Sequence, residues 1–195
     1  MKKYALSLLL TLPLSASWFT GTSASFGAKY FKDLGTMDIK LEQYFINSSM
    51  PKLYMKAGYY REQLAHWPLN DGSYTVADTG SNLLVGTGYN LLTLGNFFID
   101  GGASIGYRLS TTTEPTTITL NGTTYDVNSL YTDSAITPFF DLGIGMAFGK
   151  FTVRADLTMA AEGTVELVQT SDDTVLQAET GYNRLHANIG VAYWY

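Results

Sequence analysis

At 195 residues, the chain has the length of one domain. A formal net charge of -5 with only 15% charged residues argues against a nucleic-acid partner, and the absence of Cys excludes both a disulfide framework and an acylated lipoprotein anchor. The 19 glycines and 14 tyrosines suit a β-barrel with a crowded interior and aromatic girdles.

In chain order, Met1-Lys2-Lys3, the apolar run from Tyr4 to Leu14 and Ser15-Ala16-Ser17 read as a secretory signal. Cleavage after Ala16 or after Ala24 fits the small residues there, so residues 1–24 are set aside as signal peptide and 25–195 as the folded barrel. The apolar run is too short to cross a bilayer as a helix, and no later run reaches the ~18 apolar residues a membrane helix needs. A membrane role must therefore come from strands.

Hydrophobic alternation predicts eight strands, near 25–32, 36–46, 52–64, 81–92, 97–108, 136–148, 151–169 and 174–195. Their connections fall into two kinds. Asn47 to Pro51, a three-residue loop Thr93-Leu94-Gly95 and a two-residue turn Gly149-Lys150 are short and belong on the periplasmic side. The Gly149-Lys150 turn pairs Phe148 with Phe151 and brings the even-numbered apolar face of 136–148 onto the odd-numbered face of 151–159. Between 109 and 135, Asn121-Gly122 is a strong hairpin signal, and pairing Leu120 with Thr123 carries the register down to Tyr107 opposite Ile136. The segment 97–148 then reads as one long hairpin whose upper half projects beyond the membrane, with a local break at Pro115. Around Ser171-Asp172-Asp173 a second projecting hairpin is expected. Its two outward faces fall out of step, so it needs an odd turn or a β-bulge near Gly163 or Gly181.

In the last strand, Leu185, Ala187, Ile189, Val191, Tyr193 and Tyr195 share one face, and Arg184, His186 and Asn188 share the other. If apolar faces meet lipid, the opposite faces must fill the barrel. They carry Lys29, Asp38, Lys40, Glu42, Lys56, Glu62, Asp100, Arg108, Asp141, Arg154, Asp156, Arg184 and His186, a balanced set of acids and bases. Phe45, Phe148, Phe151, Tyr193 and Tyr195 fall near the short-turn end, and Tyr30, Tyr59 and Tyr107 near the long-loop end, as two interfacial belts. A soluble lipocalin-type barrel shares the period but has neither belts nor paired interior ions.

The terminal signal, the strand count and the aromatic-ended last strand resemble the small eight-stranded bacterial outer-membrane proteins, the OmpX/Ail/Lom group, the OmpA transmembrane domain and OmpW. The resemblance implies an all-β, antiparallel, up-and-down transmembrane barrel in the bacterial outer membrane. It also implies contact with outer-membrane lipid and lipopolysaccharide, and recognition of the last strand by the barrel-insertion machinery. The reading that follows is a non-enzymatic barrel with a charge-filled lumen and a structural or adhesin-like role, its projecting hairpins meeting an extracellular protein partner. No cofactor or metal motif stands out, and Asp172-Asp173 with Glu166 and Glu179 reads as a solvated acidic tip.

Three alternatives belong beside it, two of them lipid-modifying enzymes and the third a conduit. Small lipid A deacylases of the outer membrane resemble this architecture and use a His-x-Ser element, which is here His186-Ala187-Asn188 and lacks the serine. A palmitoyltransferase-like barrel would use a surface histidine such as His66, read as a loop residue with Ser73, Asp71 and Asp78 nearby. A hydrophobic conduit of the OmpW kind would need a lateral opening near Pro115 or Pro138.

Overall fold

The computed structural model describes residues 18–28, 37–69, 74–131, 134–161, 163–180 and 184–195. They form twelve strands: β1 (Trp18–Ala28), β2 (Asp38–Asn47), β3 (Leu53–Leu69), β4 (Tyr74–Leu94), β5 (Phe97–Glu114), β6 (Thr117–Leu120), β7 (Thr123–Tyr131), β8 (Ile136–Phe148), β9 (Phe151–Ala160), β10 (Thr164–Gln169), β11 (Val175–Thr180) and β12 (Leu185–Trp194). Eight close a barrel in the order β1-β12-β9-β8-β5-β4-β3-β2, antiparallel throughout. The other four form a separate sheet, β11-β10-β7-β6.

The alternation that makes these segments strands also decides which way the barrel faces. Along β8 every even residue from Ile136 to Met146 is exposed, and every odd residue from Thr137 to Gly145 is buried. Leu41, Val85, Ile105, Leu142, Ile144, Leu157 and Ile189 all point outward, whereas Lys40, Glu42, Asp141 and Arg154 point inward. The polarity is thus the reverse of a soluble calyx. Closure between β1 and β12, from Gly21 opposite Trp194 to Ala28 opposite Ala187, removes the last open edge of the wall.

The short turns follow local chemistry. Gly149 has φ 62° and Phe148 pairs with Phe151 across it. Asn121 and Gly122 both have positive φ, 51° and 81°, as a type I′ turn demands, with Leu120 opposite Thr123. Gly95 also has positive φ, but the turn is Gly95-Asn96 with Leu94 opposite Phe97, two residues rather than three. A bulge between Asn90 and Leu92 absorbs the parity difference, so Leu83, Val85 and Tyr89 still share a side with Tyr107, Ile105 and Gly101.

Several expected spans shift. The first strand is Trp18–Ala28, not 25–32. Its outward residues include Thr22 and Ala24, which alternation does not register as apolar, and its inward ones are Gly21, Ser23 and Ser25. Residues 29–32 of the expected strand, Lys29 and Tyr30 among them, lie outside the described residues. β3 and β4 extend above the wall, and His66 pairs with Ala77 in this extension, so it is a strand residue and not a loop one.

The long hairpin over 97–148 also divides. β5 and β8 pair up to Tyr107 opposite Ile136, but above that point β5 continues along β4, with Ala77 opposite Glu114. β7 turns instead to β10, from Val165 opposite Tyr131 to Gln169 opposite Val127. The two expected hairpins therefore merge into one sheet. The bulge in β10–β11 falls between Leu167 and Val168, not at Gly163, and Gly181 is outside the described residues. The reason is burial. Ile118, Val127, Val165 and Leu167 pack on Leu64 and Val76 of the β3–β4 extension, a core that neither hairpin makes alone.

Candidate functional site

Inward-facing charged and histidine side chains from six strands of the wall, or their immediate ends, converge on two ionic clusters. In the lower one, nearer the short turns, Lys40 of β2 donates to Asp141 of β8 at 2.7 Å, and Lys56 of β3 donates to the other oxygen of the same carboxylate. Glu42 lies 3.6 Å from Lys40 and 3.4 Å from Lys56, and accepts from the Tyr44 hydroxyl at 2.6 Å. Thr158 donates to Asp141 at 2.7 Å. Arg154 of β9 grips Asp156 through Nε at 2.9 and 3.1 Å and also through Nη2, which reaches Asp100 at 3.3 Å.

The upper cluster joins the chain ends of the barrel. Arg184, just before β12, donates to Glu62 of β3, which also accepts from Asn82 at 2.9 Å. His186 sits between two carboxylates, Nδ1 at 2.7 Å from Asp38 and Nε2 at 3.4 Å from Glu62. Asp38 further accepts from the Gln63 backbone N–H at 2.7 Å and the Tyr60 hydroxyl at 3.3 Å. Arg184 lies over the Phe139 ring at 5.1 Å, and Tyr60 and Phe139 meet edge to face.

The geometry matches the electrostatic requirement. An isolated ion inside a barrel this narrow costs several kcal/mol, and each one here has an opposite charge within reach or, for Asp38, the His186 ring and two hydrogen-bond donors. The space comes from glycine: a Cβ on Gly143 would run into Asp100, Asp156 and Arg154 at once. Of the interior residues expected from sequence, Asp38, Lys40, Glu42, Lys56, Glu62, Asp100, Asp141, Arg154, Asp156, Arg184 and His186 are buried in these two clusters. Arg108 stands apart. It is half-buried higher on β5, stacked on Tyr131 at 4.9 Å.

Sequence reasoning placed Asn188 on this face but missed the other hydroxyls, rings and amides that complete the clusters: Tyr44, Tyr54, Tyr60, Thr158 and Asn82. Strand parity could have found them, since Tyr44 lies on the face of Lys40 and Glu42, and Tyr54 and Tyr60 on that of Lys56. Asp78, grouped with His66 as a nearby residue of a surface site, is instead fully buried and accepts from Tyr131 at 2.9 Å. Of that surface group, Asp71 and Ser73 lie outside the described residues.

A closed eight-stranded wall, apolar outside and ionic inside, defines the outer-membrane class of β-barrel fold. The chain has that fold. Among solved structures it is similar to the Yersinia pestis outer membrane protein Ail in a phospholipid bilayer nanodisc, with TM-score 0.51, 10% identity, and 91% of this chain and 99% of that one covered. It is also similar to the Neisserial surface protein A, with TM-score 0.48, 12% identity and coverage of 90% and 96%, and to the outer membrane protein AlkL, with TM-score 0.49, 10% identity and coverage of 92% and 90%. No protein-family profile matches the sequence, and no curated protein matches it.

Proposed function

We propose that this protein is a non-enzymatic barrel of the bacterial outer membrane whose wall is held by the lumenal ion network and whose upper sheet contacts a partner outside the cell. The observation that carries the reading is the β11-β10-β7-β6 sheet. It shares a hydrophobic core with the β3–β4 extension above the wall, and its terminal strands β6 and β11 each have a strand neighbour on one side only among the described residues. Such edges present backbone donors and acceptors to an added strand. The exposed Leu41, Ile144, Leu157 and Ile189 contact lipid and lipopolysaccharide chains, and the aromatic-ended β12 is the strand for the insertion machinery to read.

The lipid-modifying alternative draws no support from His186, which is buried on the lumen side between Asp38 and Glu62, away from any acyl chain. The test is binding of cells displaying the protein to immobilised extracellular-matrix and serum proteins. Lysine at Thr119 in β6 and at Ala178 in β11 charges both edges and should reduce binding at least ~10-fold while the barrel stays folded. Unchanged binding with both lysines present refutes an edge-mediated role.

A further inference from the structure

The short-turn end of the lumen holds a cavity of about 260 Å³, bordered by Pro51 and the Gly95-Asn96 turn. Its walls are the rings of Tyr44, Tyr54, Phe98 and Trp194, and Asp100 and Arg154 form its floor. Tyr44 meets Tyr54 edge to face with centroids 5.5 Å apart, and lies 5.7 Å from Trp194. Three of these rings rest on glycines: Trp194 on Gly21, Tyr54 on Gly88 and Phe98 on Gly145, and a Cβ at any of the three would strike the ring. The barrel wall gives up side chains at three places to seat these rings, so the space is built.

We propose that this cavity binds a small organic ammonium ion from the periplasmic side, held by the rings of Tyr54, Phe98 and Trp194 and by Asp100, the Tyr44 ring being covered by Arg154. The site faces away from the upper sheet and does not depend on that sheet having a partner. It does rest on the membrane orientation that puts the short turns in the periplasm. The charge balance favours a cation. Among the described residues of the lower cluster, Glu42, Asp100, Asp141 and Asp156 face only Lys40, Lys56 and Arg154.

Arg154 is engaged elsewhere, because its guanidinium bonds Asp156 through two nitrogens and donates to the Tyr44 hydroxyl at 3.2 Å. Asp100 is left with a shared 3.3 Å contact from Arg154 and the Tyr54 hydroxyl at 3.1 Å. It is the carboxylate that lines the cavity, and among the described residues its ion pair is one it shares with Asp156. An ammonium group against electron-rich rings and a carboxylate gains from both, and the charge of the neighbouring Arg154 is offset by Asp156.

The test follows the Trp194 indole N–H, which donates to Thr152 at 3.0 Å, by NMR of the refolded protein in detergent micelles, the resonance being assigned by its loss in Trp194→Phe. Choline and n-butylammonium are titrated against 3,3-dimethylbutan-1-ol, the uncharged counterpart of choline. Saturable shifts are expected with both cations, at least ~10-fold weaker binding with the alcohol, and a similar loss in Asp100→Asn. Ala147→Phe places a ring in the cavity without touching an ion, and should abolish the response in a barrel still folded by gel migration. No response to either cation, an equal response to the alcohol, or binding that survives both Ala147→Phe and Asp100→Asn overturns the proposal. Loss of partner binding by the edge lysines leaves these titrations unchanged, so the two readings fail separately.

Discussion

At the scale of single residues, the side each charged group takes follows from strand parity, but its partner does not. Lys40 and Lys56 lie on different strands and share one carboxylate from a third, Asp141, a meeting set by barrel stagger that a linear sequence does not display. The same applies to Arg184 and Glu62, which are 122 positions apart. Removing one partner of so buried a pair strands the other charge. Arg184→Ala should cost about 3–5 kcal/mol, read from urea unfolding in lipid vesicles, and Arg184→Met, which keeps the bulk but not the charge, should recover little of it while Glu62 remains. Gly143→Ala adds a methyl where Asp100, Asp156 and Arg154 converge. It should destabilise the barrel by about 1–3 kcal/mol in the same assay.

Among elements, the turns at Gly149 and Asn121-Gly122 were legible because glycine and asparagine at fixed positions dictate backbone sign, and at Gly95 the positive φ was legible but not the length of the turn. What sequence did not disclose was the choice of neighbour above the wall. Continuing β5 with β7 is the local solution, and its register closes on paper. The chain instead joins β7 to β10, because Val127, Val165 and Leu167 can be covered only when both hairpins lie over Leu64 and Val76. That core makes the upper sheet and the β3–β4 extension one unit. Leu167→Ala should lower the sheet's stability by about 2–5 kcal/mol, and hydrogen exchange should quicken over 117–131 and 164–180 while the wall strands stay protected. Equal acceleration in β8 and β9 would mean that wall and sheet unfold together.

For the molecule as a whole, composition and alternation were enough to give an inverted barrel of eight wall strands, since its outer surface must dissolve in hydrocarbon. The start of the wall was harder to place, because Thr22 and Ala24 carry little hydrophobic signal. β1 pairs with both β2 and β12 from Gly21 onward, so a cut after Ala24 would delete half of the closing seam. Cleavage after Ala16 keeps it, and N-terminal sequencing of the protein from outer membranes should begin at Ser17. The pairing of β7 with β10 also has a consequence for the wall. Between Tyr131 and Val165 the chain runs down as β8 and back as β9, so the sheet above ties the upper ends of that hairpin together. It is a clasp on two neighbouring staves, and they can part at that end only after it opens.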